Sequence, residues 1–419
     1  MTKSRHLLRL RLRRFRRRLS GLRGLILTLA DTLALPLLRP GSRQYGGDKP
    51  VSGRPSVAVF NLHGAGDLLL SLPCLAQIRD RYPEGQYALV LYCGPSAAEL
   101  AAAYAPADEI VVIDRRRLLR SLAYRWSQLR AVAARRYGVA IQPTFNRMLA
   151  VEDALVRATG AGERIGSAGS ADFIGAARRW SDHWYSRLVE PSPRAVHELD
   201  RYGEFLRLLG WPKAARCLPS LTVPGSAAPI VGSYVLFVPD SSSPLKSWPK
   251  ERFETLAHQL ANLSPDEMLV FAGAPGGDQP RRYFAKWRED RFIDRSGQTS
   301  VMDFLRLIEG AKLVITNDSA GMHLAVMLHR PVVAIAGGGL PERYHPYPAW
   351  TGARLKIVER RMPCYGCNWN CIHDIESGSP APCIALIESA EVLQAVRDVM
   401  RESGATPRSL GNSSGQAAG

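Results

Sequence analysis

From Ser56 onward the chain alternates short apolar runs, rich in β-branched residues, with longer stretches of helical period. "SVAVFNL" leads into an amphipathic segment from Leu68 to Arg81; "YALVLYC" and "EIVVID" follow, then a basic helical stretch to Arg136, then "GVAIQP". A second series opens at "SYVLFVP", residues 233–239, and continues through "EMLVFAG" and "KLVIT" to "PVVAIAG". Alternation of this kind indicates βαβ units around a parallel sheet. The chain is therefore expected to be α/β, with two doubly wound domains at residues 56–225 and 226–402. The stretch "SLTVPGSAAPIVG", near residues 220–232, is the expected joint.

Ligands of such sheets bind outside the carboxyl ends of the strands, so the polar residues at those ends are the first candidates for chemistry. After the opening strand, "HGAGD" puts His63, Gly64, Ala65 and Gly66 in a tight turn and Asp67 at the start of a helix. Asp67 is either a helix cap or a functional carboxylate. The dinucleotide spacing G-x-G-x-x-G is absent. After "SYVLFVP", the hydroxyls of Ser241 and Ser242 and the ammonium of Lys246 precede a helix near Pro249. They read as a phosphate cradle or as a solvated loop, and the glycines of a Walker loop are missing. After "KLVIT" comes "NDSAGMHLA": Asp318 and Ser319 are capping residues, while Ala320 and Gly321 leave a helix N-terminus open to an anion. Met322 and His323 lie in its first turn, where His323 can face the ligand or serve the core.

The 419 residues carry a formal net charge of +17, and 46% of them are hydrophobic. That excess favours acidic partners, and its distribution narrows them. Residues 1–40 hold eleven Lys and Arg against the single acid Asp31, interleaved with Leu and Phe, as in a helix lying on an anionic membrane surface. A nucleic-acid arm is the rival reading. No nucleic acid is expected at the folded domains, because the charge is concentrated in the arm. The apolar run from Leu25 to Leu38 contains Asp31 and falls short of the ~20 residues a spanning helix needs. "LPLLRPGS" is a poor cleavage site for a signal peptide. The reading is a cytoplasmic protein, peripheral on the inner membrane, with residues 1–55 as basic arm and linker and 403–419 as a disordered tail.

Seven cysteines occur, and Cys364, Cys367, Cys371 and Cys383 crowd into one segment with spacing C-x2-C-x3-C-x11-C. In a cytosolic chain this pattern points to a structural Zn or Fe knuckle rather than to disulfides, with His373 as a spare ligand. Cys74, Cys93 and Cys217 read as core thiols.

The three strand-end motifs together resemble glycosyltransferase family 9, the heptosyltransferases of bacterial lipopolysaccharide assembly. They are "HGAGDLLLSLPCLAQIRDRYP", "SSSPLKSWPKERFETLA" and "NDSAGMHLAVMLHRPVVAIAGGG", within a resemblance spanning roughly residues 56 to 400. The resemblance implies GT-B architecture, two Rossmann-like domains facing a cleft, with the acceptor mainly in the first and the sugar nucleotide mainly in the second. It implies inversion at the anomeric carbon without a catalytic metal, with Asp67 as general base and Lys246 on the donor phosphate. Gly66, Ser241, Ser242, Asp318, Ser319, Ala320, Gly321, Met322 and His323 then fall at the donor-binding positions. The implied donor is a nucleotide sugar, ADP-heptose being favoured, and the acceptor a glycan or glycolipid such as lipopolysaccharide core. Ala320 and Gly321 depart from the family's usual glycine and proline, and the donor-ribose acid has no clear counterpart beyond Asp278. The alternative function is a nucleotide-sugar or glycan binding protein without turnover at the membrane surface.

Overall fold

The computed structural model describes residues 24, 26–32, 53–169, 175–193, 196–211, 217–225, 230–273 and 290–402. The chain divides into two compact units, the first taking residues up to Pro219 together with Glu342–Tyr344, the second taking the remainder.

The first unit is a six-stranded parallel sheet in the order β3-β2-β1-β4-β5-β6. Its strands are β1 (Ser56–Asn61), β2 (Ala88–Cys93), β3 (Glu109–Val112), β4 (Val139–Gln142), β5 (Glu163–Ser167) and β6 (Arg187–Val189). The second unit repeats the pattern with β7 (Tyr234–Val238), β8 (Met268–Gly273), β9 (Phe292–Ser296), β10 (Leu313–Asn317), β11 (Val332–Ala336) and β12 (Leu355–Glu359). Its order, β12-β11-β10-β7-β8-β9, is the same doubly wound topology read from the other edge. The expected α/β, Rossmann-like fold is therefore present in each unit.

The two sheets also share a packing device. Phe60 on β1 faces Tyr92 on β2 in register, with ring centroids 4.7 Å apart. Phe237 on β7 faces Phe271 on β8 in the same way at 4.6 Å. Every residue of β1, β2, β7, β10 and β11 is buried, which is why these strands read as unbroken apolar runs. The strands β5, β6, β9 and β12, absent from the expected set, lie toward or at the sheet edges and mix Arg, Glu, Asp or Lys with apolar residues.

The arm is not uniform. Residues 26–32 are helical, and Leu27, Thr28 and Asp31 are buried in the first unit. Arg125, itself fully buried, donates through Nε to Asp31 Oδ1 at 2.9 Å and pairs through its terminal nitrogen with Oδ2. Thr32 Oγ accepts from Arg157 at 2.7 Å. Ile26 and Leu29, three residues apart on a helix, remain 57% and 49% exposed. Residues 1–23, 25 and 33–52, and Asp278, lie outside the described residues. Among the described residues no helix is long and apolar enough to cross a membrane.

Candidate functional site

In each unit the polar strand ends meet at the switch point, where the first strand is flanked on both sides and the connections leave in opposite directions.

In the first unit this point lies between β1 and β4. The helix after β1 begins at Ala65, with Gly64 as its cap in extended conformation (φ −75, ψ 175). Gly66 therefore falls inside the first helical turn rather than in the turn before it, and Asp67 is the third helical residue. Asp67 Oδ2 accepts from the Gly64 N–H at 3.3 Å, closing the reverse half of a capping box. Its other oxygen, Oδ1, accepts from the Tyr344 hydroxyl at 2.9 Å. Burial pushes Tyr344 well above its ordinary range, and the Asp67 carboxylate adds to this against Arg343, so the hydroxyl stays protonated and donates.

Tyr344 is pinned by its neighbours. The Arg343 guanidinium pairs with Glu198 at 2.5 Å and lies 4.9 Å from the Tyr344 ring centroid. The Glu198 N–H donates to the Arg343 carbonyl at 3.0 Å, and His197 Nε2 is 3.2 Å from the Tyr344 carbonyl. On the β4 side, His63 Nε2 is 3.1 Å from the Asn146 carbonyl and 4.0 Å from Glu152. Glu152 is raised by complete burial, against the opposing charges of His63 and Arg115.

In the second unit the switch point lies between β7 and β10. The end residue of β10, Asn317, ties the two connections together: its amide donates to the Pro239 carbonyl at 2.6 Å, and its oxygen accepts from the Trp248 N–H at 3.0 Å. Ser241 Oγ folds back onto the Ser243 carbonyl at 2.7 Å and lies 3.3 Å from Ser247 Oγ. Ser242 is exposed. Lys246 closes a short 3-10 turn, Pro244–Lys246, and its ammonium reaches Asp318 Oδ2 at 2.9 Å.

The Lys246 and Asp318 side chains are only 17% and 6% exposed. Burial alone would raise Asp318, but Lys246 beside it, with His345 and His323, holds it below the usual carboxylate range. Burial conversely lowers His345 despite Asp318 and Glu359 nearby. The pair is neutral as a unit, yet an ammonium has three donors, so two remain for phosphate oxygens.

Ser319 caps the Ala320–Met327 helix, its Oγ accepting from the Gly321 N–H at 3.3 Å. A Cβ on Gly321 would stand 2.8 Å from Val238 Cγ1, so this close approach to β7 requires glycine. Met322 and His323 are buried, and His323 Nδ1 lies 2.7 Å from the Tyr347 hydroxyl.

The four clustered cysteines belong to the connection after β12. They line one cavity together with Leu245 and Trp369. Burial pushes the Cys367 and Cys383 thiols up, and in each case the neighbouring thiols of the cluster add to this. Among the described residues, however, no three His, Cys, Asp or Glu side chains are set to hold a metal ion as they stand. The thiols share this cavity. The segment packs on Gly337, Gly338 and Gly339 after β11, where added Cβ atoms would stand 2.8, 2.6 and 2.3 Å from the Trp369 or Tyr365 rings.

Tyr344, Asn317, Trp248 and Trp369 were not among the sequence-derived candidates. Asn317 carried the best signal, as a polar residue at the end of an apolar strand. Tyr344 carried none, because its role depends on a contact 277 residues away in sequence.

A family model for glycosyltransferase family 9 (heptosyltransferase) matches residues 125–368. Lipooligosaccharide heptosyltransferase 2 of Haemophilus influenzae is 29% identical over 138 residues, 32% of this chain and 38% of that protein. The matched region spans between a third and two fifths of the length of the curated relatives. Among solved structures, a family 9 glycosyl transferase from Veillonella parvula superposes with a TM-score of 0.61 at 19% identity, covering 83% of this chain and 97% of that one. An Escherichia coli heptosyltransferase with ADP-2-deoxy-2-fluoro heptose superposes at 0.59 with 18% identity, covering 82% and 99%. At these identities the superpositions establish the likeness of fold.

Proposed function

Because the chain belongs to glycosyltransferase family 9, its matched region covering more than half of the residues, we propose that it is an inverting glycosyltransferase. It moves heptose or a related sugar from a nucleotide-sugar donor to a glycolipid of the lipopolysaccharide type. The observation that carries this reading is the ammonium of Lys246 held by Asp318 at the switch point of the second unit, 2.9 Å away, where a doubly wound sheet binds nucleotides. ADP-heptose is the favoured donor, in keeping with the ADP-sugar analogue bound by the Escherichia coli relative.

Asp67 is the general base. Each of its oxygens accepts one hydrogen bond, from Gly64 and from Tyr344, and keeps a lone pair for the acceptor hydroxyl. As that hydroxyl oxygen bonds to the anomeric carbon from the face opposite the diphosphate, its proton passes to Asp67 and the bond from C1 to the phosphate oxygen breaks. Negative charge then grows on the departing nucleoside diphosphate, where Lys246, the Ser241 and Ser242 hydroxyls and the N-terminus of the Ala320–Met327 helix oppose it. Gly66, Asp318, Ser319, Ala320, Gly321, Met322 and His323 shape these two strand ends. Tyr344 fixes the direction of the base without contributing charge.

The cysteine cavity fits a structural Zn or Fe ion by its donor set, four thiols with no carboxylate. Cys364, Cys367, Cys371 and Cys383 would hold it; bound there, the ion supplies cross-linking of the loop. The basic arm is assigned to an anionic membrane surface. The outward pair Ile26 and Leu29 supports this, since it continues an apolar face beyond the side of the helix that packs into the first unit.

The test is turnover of ADP-heptose with a truncated lipopolysaccharide core as acceptor, alongside UDP, GDP and dTDP sugars. Transfer from ADP-heptose, with release of ADP, is expected. Donor binding without transfer to any glycan would favour a non-catalytic binding protein.

A further inference from the structure

The cysteine segment does more than close on itself: it delivers an aromatic face to the donor lysine. Lys246 Nζ lies 5.1 Å from the centroid of the Trp369 ring and 2.9 Å from Asp318 Oδ2. We propose that Trp369 is a positioning residue of the nucleoside-diphosphate site, holding the Lys246 ammonium against its π face so that the remaining N–H donors meet the donor phosphates. The proposal rests on the assignment of Lys246 to those phosphates.

Three features single out Trp369. Asn368 and Trp369 are consecutive non-glycine residues in the left-handed region, with φ of 50 and 57, a conformation that a bulky side chain resists. Such conformations persist only where the surroundings over-determine them, and they gather at ligand sites. The surroundings here are specific: the Asn368 N–H donates to the Gly339 carbonyl at 2.6 Å, and a Cβ on Gly339 would stand 2.3 Å from Trp369 Cε2. The chain thus keeps a bare glycine where the indole lies flat. The Ala381 N–H also donates to the Leu245 carbonyl at 3.1 Å, which pins the residue next to Lys246 to the same segment.

The choice of group follows from electrostatics. An ammonium at an anion site needs to be fixed in place, but a second carboxylate would turn the neutral Lys246–Asp318 pair into a net negative cluster and repel the phosphates. An indole face attracts the ammonium through its quadrupole and adds no net charge. Asp318 on one side and Trp369 on another therefore fix the position while leaving one negative charge rather than two.

The experiment is calorimetric titration of ADP into the full chain as purified for wild type, Trp369→Phe, Trp369→Leu, Lys246→Ala and the Trp369→Leu/Lys246→Ala double variant. Thermal midpoint and metal content are recorded for each. Trp369→Leu keeps the apolar cover but removes the π face, and should weaken ADP by roughly three- to thirtyfold. Trp369→Phe should recover most of that loss, and the double variant should bind no more weakly than Lys246→Ala alone. Wild-type ADP affinity in Trp369→Leu would overturn the proposal. So would equal weakening in the Leu and Phe variants, which would mark a purely structural role. If Lys246→Ala itself kept full ADP affinity, the lysine assignment would fall, and this inference with it.

Discussion

The two units share one topology and one aromatic stack, Phe60 on Tyr92 and Phe237 on Phe271, yet their switch points carry opposite chemistry. In the first unit a carboxylate, Asp67, is held by two uncharged donors, so its charge stays available to a proton. In the second a cation, Lys246, is held by a carboxylate and an aromatic face. The scaffold supplies a place where two connections meet; the residues at the strand ends decide whether that place presents a carboxylate or an ammonium. The units differ in support as well. The first depends on two segments remote in sequence, residues 26–32 and Glu342–Tyr344, whereas in the second the connection that carries Lys246 is anchored by the strand-end Asn317.

The sharpest way to break this comparison is Asp67→Asn. Glycosyl transfer should fall by ~10² to 10⁴, the contribution of a general base, while ADP affinity by calorimetry stays at the wild-type value. Retained turnover would reduce Asp67 to a helix-capping residue. Deleting residues 1–40 should destabilise the first unit by about 3–5 kcal/mol, because it leaves the buried Arg125 without Asp31. Deleting only residues 1–22, which keeps Asp31, should cost less stability than the longer truncation and still lower flotation with anionic vesicles, at ~1 kcal/mol for each basic residue near the surface. Equal stability of the two truncations in urea would show that the Asp31 contact does not support the fold.

Lys246→Ala should weaken ADP by roughly ten- to a hundredfold, the loss of a charge-assisted hydrogen bond, with kcat reduced less than donor affinity. It should also change the acid limb of stability. The folded-state value of Asp318 is depressed, so its contribution is full above the unfolded carboxylate value near ~3.9 and is lost as pH falls through the folded value. Without Lys246 the depression shrinks, so the stability lost as pH falls below ~3.9 should become smaller, which thermal melts between about pH 2 and 5 would read. The smallest effect is expected for Tyr344→Phe: about tenfold in kcat, with donor affinity unchanged, since one hydroxyl that directs the base is removed while the ring stays in place.

The legibility of the chain follows burial. Strands buried on both faces, such as β1 and β10, announce themselves as apolar runs, and the polar residues that interrupt them at Asp67, Lys246 and Asp318 stand out for the same reason. Edge strands such as β6 and β12 face solvent on one side, and their charged residues hide them. The start of the helix after β1 was misplaced because Gly64 caps it in an extended conformation, a role that leaves no side-chain signal.

Local sequence thus determined the fold class, the two series of strands and the three strand ends where chemistry gathers, because periodicity and capping act over a few residues. Tertiary structure decided what those residues touch. The pairing of Asp67 with Tyr344, of Lys246 with Asp318 and Trp369, and of Asp31 with Arg125 joins positions 72 to 277 residues apart. No local pattern encodes such contacts; they arise when the parallel crossovers bring distant connections to the same end of a sheet.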